Sequence, residues 1–472
     1  MQRSLVLGGL FALAAGCAGH AGRVVAQYEA GDFAGAARTA DTELAAHPVD
    51  EALWQMRIRA ALALGDAAGV ATTYAAYRTR LDGDDDRELL RDLAIATLGQ
   101  ALTAPSVKLK IAAIEAIEAA ELEPLADQVA QRMRDDDDRV IAAAAVAVLH
   151  GAPDAGQAVG DMLRSEDAEA RRIAVEGTGK KIGKPALGFL EAAGSDSDPR
   201  VRRAALRWLG QLRDQAAAPL LTQHLRDPDE AVRAVAASAL AHIGPIGQAG
   251  AAQLVELART ALADRALAVR LAGVELLAAA HATGELAALA DDRDPTVATE
   301  AAIAAGGGPA GKAGRVPTPP LASLERAAGS PDWAVRAGAA NLAVRALGKD
   351  AALVFARKLA ADPELPVRLA AARVLAHAGD RPAAAAIFAA ALATDHRIDA
   401  AVDLAMQDDP RGVQALDDAV RDPEHGAANR AAAAAAHRAA HRITPGLVAA
   451  LADGSGAVRV EAAGALALLT RH

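Results

Sequence analysis

The sequence predicts an all-α fold, a right-handed α-solenoid of stacked helical hairpins. Three observations predict it: a composition rich in small aliphatic residues and poor in rings, a pattern recurring at intervals near 31 residues, and helix-start chemistry placed at the same point of each recurrence.

Composition comes first. Apolar residues make up 52% of the 472 positions, yet aromatic residues only 2%. A compact core usually draws much of its buried area from large rings. Alanine is instead the best helix former, and its small side chain lets helices approach closely. The net charge is −10, with both signs interspersed. A nucleic-acid interface needs a basic stripe and usually stacking rings. Neither is present, and the acidic runs Asp84 to Asp86 and Asp135 to Asp138 would repel phosphate. No nucleic-acid partner is therefore expected. The single cysteine, Cys17, excludes an intrachain disulfide and a cysteine-based zinc cage.

The recurrence is clearest in SDSDPRVRRAALRWLG at 195–210 and LRDPDEAVRAVAASALAHIG at 225–244. It returns in DPELPVRLAAARVLAHAG at 362–379 and GSGAVRVEAAGALALL at 454–469. Anchored on the valine position, the series is Leu109, Val140, Ala170, Val201, Val232, Val269, Val297, Val335, Val367, Ile398, Asn429 and Val458. Eight of its eleven intervals lie between 29 and 32 residues, which suits two short helices and two turns. The units at Ile398 and Asn429 are degenerate. Within one unit, Val201, Ala205, Leu206 and Leu209 share a helical face. Stacked at about 9 Å per layer, twelve units predict a rod on the order of 100 Å long, each repeat touching only its neighbours.

The third observation is the turn. Pro199, Pro228 and Pro363 suit a helix start, where a missing N–H costs little. Asp198, Asp227 and Asp362 suit the positive end of a helix. Arg202, Arg233, Arg270, Arg336, Arg368 and Arg459 recur one place after the anchor. They could form a ligand-binding ladder, but their place in the repeat favours structural pairing with turn aspartates of neighbouring repeats. These features resemble HEAT repeats of the short bacterial kind, related to those of the bilin-lyase family, over roughly residues 90–472.

The chain before the repeats differs. GDFAGAARTADTELAAHPVD at 31–50 resembles the second helix of a tetratricopeptide (TPR) repeat, with a fainter echo from Leu64. A pair of ordinary hairpins capping the array is the other reading. Asp82 to Asp86 is expected to be a solvated linker. It lacks the glycine and glutamate of a calcium loop, since the required places hold Arg87 and Leu93.

Residues 1–22, MQRSLVLGGLFALAAGCAGHAG, have the layout of a secretory signal: Arg3, an apolar stretch from Leu5 to Leu13, then small residues leading to Cys17. They resemble a bacterial lipoprotein signal, although Ala14 stands where that family favours leucine. The resemblance implies lipid attachment at Cys17 and a membrane-anchored protein of the bacterial cell envelope. With Ala18 next, it points to the outer membrane, facing the periplasm.

No catalytic constellation emerges. There is no glycine-rich phosphate loop and no G-x-S-x-G elbow. His437 and His441 have metal-pair spacing, but Arg438 stands between them, and an exposed face is expected instead. One HEAT-repeat enzyme class binds iron through His-Glu dipeptides, and the sequence has none. Neither a metal nor a cofactor is expected. The second and sixth positions after each anchor should be less buried. Among these, Arg172, Glu176, Arg203, Arg207, Glu275, Asn341 and Arg373 form the candidate partner-binding surface. Their mixed charge suits a protein partner better than a repetitive polymer.

The expected organisation is a signal and anchor region at 1–22, a TPR-like segment at 23–86, and HEAT-like blocks at 87–303 and 321–472. A Gly/Pro-rich insertion, AAGGGPAGKAGRVPTPP at 304–320, separates the blocks as a flexible joint or a binding loop. The expected function is a non-enzymatic, lipid-anchored scaffold that binds other proteins. An accessory or lyase-like protein handling a small pigment or cofactor is the alternative, by fold analogy alone.

Overall fold

The computed structural model describes residues 20–246, 250–305 and 319–471. Cys17 and most of the 304–320 insertion lie outside the described residues. All regular structure among them is helical, in hairpins stacked as in HEAT repeats. None of these helices is long and apolar enough to cross a membrane. The helix Pro295–Ala305 runs into the expected insertion, and Pro319–Ala328 begins before its expected end.

The chain forms two compact units, one of residues 141–391 and the other of residues up to 140 together with 392 onward. The division does not fall at the 304–320 insertion, because the repeats on both its sides belong to the same unit. It falls at Ile141, where the arginine after the anchor is missing, and after Ala391, at the end of the Arg381–Ala391 helix.

In the 141–391 unit the anchor-bearing helices stack on one another: Ala168–Lys181, Pro199–Gln211, Glu230–Ile243 and Leu267–Ala279, then Pro295–Ala305, Trp333–Leu347 and Leu365–Ala378. We call these the second helices. Each also packs on a first helix that precedes it, such as Leu187–Ala193 before Pro199–Gln211. The core is thin and aliphatic. Val201, Val232, Val269, Val297 and Val367 are fully buried, with Leu206, Leu209, Leu221 and Leu276. Val335 is the half-buried exception in this unit. Small residues set the spacing: a Cβ on Gly210 would stand 2.5 Å from that of Ala239 on the next second helix.

The turns explain why the repeat needs both aspartate and arginine. Asp198 is the N-cap of its helix and accepts from the Arg200 amide. Asp227 and Asp362 act differently. Each accepts from the amide two residues on, and each receives the guanidinium of the preceding repeat. Arg202 meets both oxygens of Asp227 at 3.0 and 2.8 Å, and Arg233 meets those of Asp264 at 2.7 and 3.1 Å. Arg171–Asp196, Arg270–Asp294 and Arg336–Asp362 repeat the arrangement. The remaining nitrogen of each arginine reaches back to its own turn. Arg233 donates to the carbonyls of Asp227 and Pro228, and Arg368 to those of Asp362 and Pro363. Of Pro199, Pro228 and Pro363, the first opens a helix as expected, whereas Pro228 and Pro363 serve the turn through their carbonyls.

The second unit begins with four helices, Gly22–Glu29, Phe33–Ala46, Glu51–Leu64 and Ala67–Arg80, forming two hairpins. All three tyrosines of the chain sit here, Tyr28, Tyr74 and Tyr77. Trp54 stacks on Tyr77 with centroids 6.1 Å apart. The acidic segment that follows is more than a solvated linker. Asp85 accepts from the Tyr74 hydroxyl at 2.6 Å. Asp86 caps the Arg87–Ala101 helix and also accepts from the Tyr77 hydroxyl at 2.8 Å and from Gln55 at 2.9 Å. Burial, together with these carboxylate acceptors, pushes both phenols above their ordinary range. In the other acidic run, Asp135 takes Lys110 at 2.7 Å, a lysine in the role the arginines play elsewhere.

This unit departs from the expectation that each repeat touches only its sequence neighbours. The last helix, Gly456–Leu469, packs on Arg87–Ala101 and Val107–Ala119, the first HEAT-like repeat. A Cβ on Gly456 would lie 2.6 Å from a Leu109 methyl, and one on Gly464 would lie 3.1 Å from Ala116. Arg471 donates to the Ala119 carbonyl and pairs with Glu121. The short helix Pro445–Ala449 packs on Ala67–Arg80. The physical reason is apolar: Val458, Ala462, Ala465 and Leu466 need a neighbour, and the first repeat supplies it within this unit.

His437 is likewise not on an exposed face. It is fully buried, its ring bonded to the Ala433 carbonyl at 2.9 Å and to the Thr444 hydroxyl at 3.1 Å. Burial lowers its pKa and keeps it neutral. His441, at a left-handed C-cap, has left the helix.

Candidate functional site

Position in the repeat sorts the polar residues of the second helices into two classes. Residues one place after the anchor point into the turns and belong to the arginine–aspartate ladder. Arg233 and Arg270 are buried despite their charge. The ladder holds its carboxylates low: the Arg233 guanidinium keeps Asp264 below the ordinary carboxylate range, and Arg336 does the same for Asp362.

Residues two and six places after the anchor look outward. Arg172, Glu176 and Arg203 are half-exposed, whereas Arg207, Glu275, Asn341 and Arg373 are exposed. The structure brings several together laterally. Glu176 pairs with Arg207 of the next repeat and accepts from the Trp208 indole at 2.8 Å. Arg172 pairs with Glu169 at 2.7 Å and approaches Glu176 at 3.9 Å. Ser238 donates to Glu275 at 2.6 Å, again between consecutive second helices. Arg345 reaches Glu300 in the same way at 3.2 Å. This row sequence reasoning did not include, because Glu300 stands three places after its anchor and Arg345 ten. The face is thus polar and of mixed sign. Such exposed pairs contribute only about 0.2–1 kcal/mol each, so it can change without unfolding the scaffold.

Two constellations were not singled out from sequence. A surface recess of ≈ 530 Å³ is lined by Thr222, His224, Asp227, Pro228, Leu257 and Thr260, among others. His224 Nδ1 lies 3.0 Å from Asp227, the same carboxylate that Arg202 holds. The ring is buried, and its bond to Asp227 ties the end of the Ala218–His224 helix to the turn. Its i, i+3 spacing was legible, but spacing alone does not separate a turn pair from a catalytic one. The second constellation, His20, Glu43 and His47, gathers ligand-type atoms within 4.8 Å of one another. The sequence reading expects no metal ligands. His20 is distant in sequence from the other two, so only the fold reveals the cluster.

The family model for HEAT repeats matches residues 156–241 and 186–278, together roughly a quarter of the chain. Among solved structures, the chain is similar to the complex of CpcE and CpcF of phycocyanin lyase from Nostoc, at 19% identity. That match covers 64% of this chain and 91% of the other, with a TM-score of 0.23. It is also similar to human deoxyhypusine hydroxylase, at 19% identity over 55% of this chain and 94% of that one, TM-score 0.26. UNC-45 from Drosophila melanogaster matches at 13% identity over 94% and 83%, TM-score 0.31. No curated protein sequence matches. Likenesses of this degree carry no argument about activity or partners. The repeats themselves do place the chain among architectures that in general present extended surfaces to other proteins.

Proposed function

We propose that the chain is a non-enzymatic scaffold, anchored by lipid on Cys17 in the bacterial cell envelope, which binds other proteins through the second-helix face of its repeats. One observation carries the reading: the repeat separates its polar residues into an inward ladder that holds the stack together and an outward row free to vary. Arg207, Glu275, Asn341 and Arg373 belong to the outward row and are exposed. Mixed charge with little apolar area suits a polar protein–protein interface. The first two hairpins are read as TPR-like, and the 304–320 insertion is read as a joint. Placement at the outer membrane, facing the periplasm, rests on the signal layout around Cys17 and on Ala18.

The anchor is tested with Cys17→Ser in the native envelope. The expected result is loss of metabolic lipid labelling and release of the protein from the membrane fraction. A variant that still fractionates with membranes would overturn the anchor. For the scaffold, affinity capture of the lipidated chain after in-cell cross-linking should return the same protein partners reproducibly. A purified chain carrying a bound chromophore would favour the pigment-handling alternative instead.

A further inference from the structure

Glu43 and His47 lie four residues apart at the C-terminal end of the Phe33–Ala46 helix, with His47 as its C-cap. That spacing puts both side chains on one face. His20, in the turn before the Gly22–Glu29 helix, is brought onto them by the fold. Its ring stacks on that of His47 with centroids 3.4 Å apart and planes 16° from parallel. Two imidazoles and one carboxylate offer ligand atoms within 4.8 Å of one another. From this geometry we propose that His20, Glu43 and His47 bind a divalent transition-metal ion of the zinc class.

The donor set argues for that class. Two nitrogens and one carboxylate oxygen suit zinc, with a fourth position left for water. Calcium and magnesium prefer all-oxygen shells. Around tetrahedral zinc, ligand atoms stand about 3.3–3.6 Å apart, given bonds of about 2.0–2.2 Å. The two imidazoles lie nearly parallel, and an imidazole binds a metal through the lone pair in its own ring plane, so closing the site asks the exposed His20 ring to unstack and turn toward the ion, with the tips drawing together by roughly 1.5 Å. His20 is exposed and the other two are half-buried, so the tips can turn and the ion can enter from solvent.

The surroundings favour a cation. The site sits at the negative end of a 14-residue helix. Its backbone is fixed in advance: the His47 amide donates to the Glu43 carbonyl at 2.7 Å, and the His47 carbonyl accepts from the Asp50 amide at 3.1 Å. The Trp54 indole donates to the Pro48 carbonyl at 3.0 Å and closes the turn. His20 is the third residue after Cys17. A bound ion would fasten that part of the chain to the first helical hairpin.

The test is calorimetric titration of the full chain with zinc chloride near neutral pH. The chain carries Cys17→Ser, to remove a competing thiol, and no polyhistidine tag. The expected result is one ion per chain with a Kd of about 10 μM or tighter. Glu43→Gln and His20→Gln should weaken binding by at least about 10-fold, and His47→Ala by about 100-fold. Melting curves recorded without zinc check that each variant is folded. Should a helix variant fail to fold, His20→Gln decides, since it lies outside the helices. No saturable binding, or binding unchanged by the folded variants, would overturn the site.

Discussion

Arg233→Ala should destabilise the 141–391 unit by roughly 3 kcal/mol, while Arg207→Ala should cost less than about 1 kcal/mol. Both remove one guanidinium from a second helix, and both break an ion pair to a neighbouring repeat. The difference is burial. Arg233 is 9% exposed and fills four acceptors: both oxygens of Asp264 and the carbonyls of Asp227 and Pro228. Its loss leaves a largely buried carboxylate without its counter-charge and frees two turn carbonyls. The Arg207 side chain is 51% exposed, so water replaces what Glu176 supplied. Urea unfolding followed by far-UV circular dichroism measures both. Removing Asp264 as well, in Arg233→Ala/Asp264→Ala, should cost less than the two single effects added, because the pair is one unit. The sign with pH follows from Asp264, whose folded-state pKa is lowered by the Arg233 hydrogen bond. Such a group stabilises above its unfolded value, near 3.9, and the contribution is lost as pH falls through the lower folded value. The gap between the parent and Arg233→Ala should therefore narrow in acid. Equal effects for Arg233→Ala and Arg207→Ala would remove the distinction between ladder and outward row.

Gly210→Ala should lower stability by about 2 kcal/mol, although alanine is the better helix former by about 1 kcal/mol. Gly338→Ala should raise it by about 0.5–1 kcal/mol. Both glycines are inside helices, Pro199–Gln211 and Trp333–Leu347. A Cβ on Gly338 meets nothing within 4 Å. One on Gly210 would stand 2.5 Å from the Ala239 Cβ and 2.6 Å from its Cα. The Cα is backbone and cannot rotate away, so the two second helices must move apart and loosen the thin core between them. Thermal unfolding should give a lowered Tm for Gly210→Ala and a raised one for Gly338→Ala. A raised Tm for both would mean that propensity outweighs packing here, contrary to the close approach of these helices.

Much of this was legible because the repeat states its rules many times. The anchor valines announced the core, and Asp-Pro followed by Val-Arg announced the turn and the ladder together. Arg202, Arg233, Arg270 and Arg336 pair with turn aspartates of the following repeat, as their spacing suggested. What was not legible depends on contacts between residues far apart in sequence. Nothing near Leu109 or Gly456 indicates that the last repeat packs on the first, since each end looks locally like any other repeat. His437 looked like a surface residue because it sits in an alanine-rich stretch with Arg438. Its burial comes from Thr444, beyond the end of the helix. Asp85 and Asp86 read as solvent-facing charge until Tyr74 and Tyr77 folded over them. The outward row was located by register, but its lateral pairing was not: whether Glu176 meets Arg207 depends on how far one second helix is displaced along the next.

The scaffold reading turns on whether the outward row contacts other proteins in the cell. The most direct measurement places a photo-activatable cross-linking residue in the full chain, one position at a time, and illuminates living cells. Positions 275, 341 and 373 sample the second-helix face. Phe189 and Val354, exposed on first helices, serve as controls. The predicted result is a recurrent protein adduct from positions 275, 341 and 373 that is absent from 189 and 354. Adducts of equal yield from both sets, or none from the second-helix face, would contradict a scaffold that binds through it.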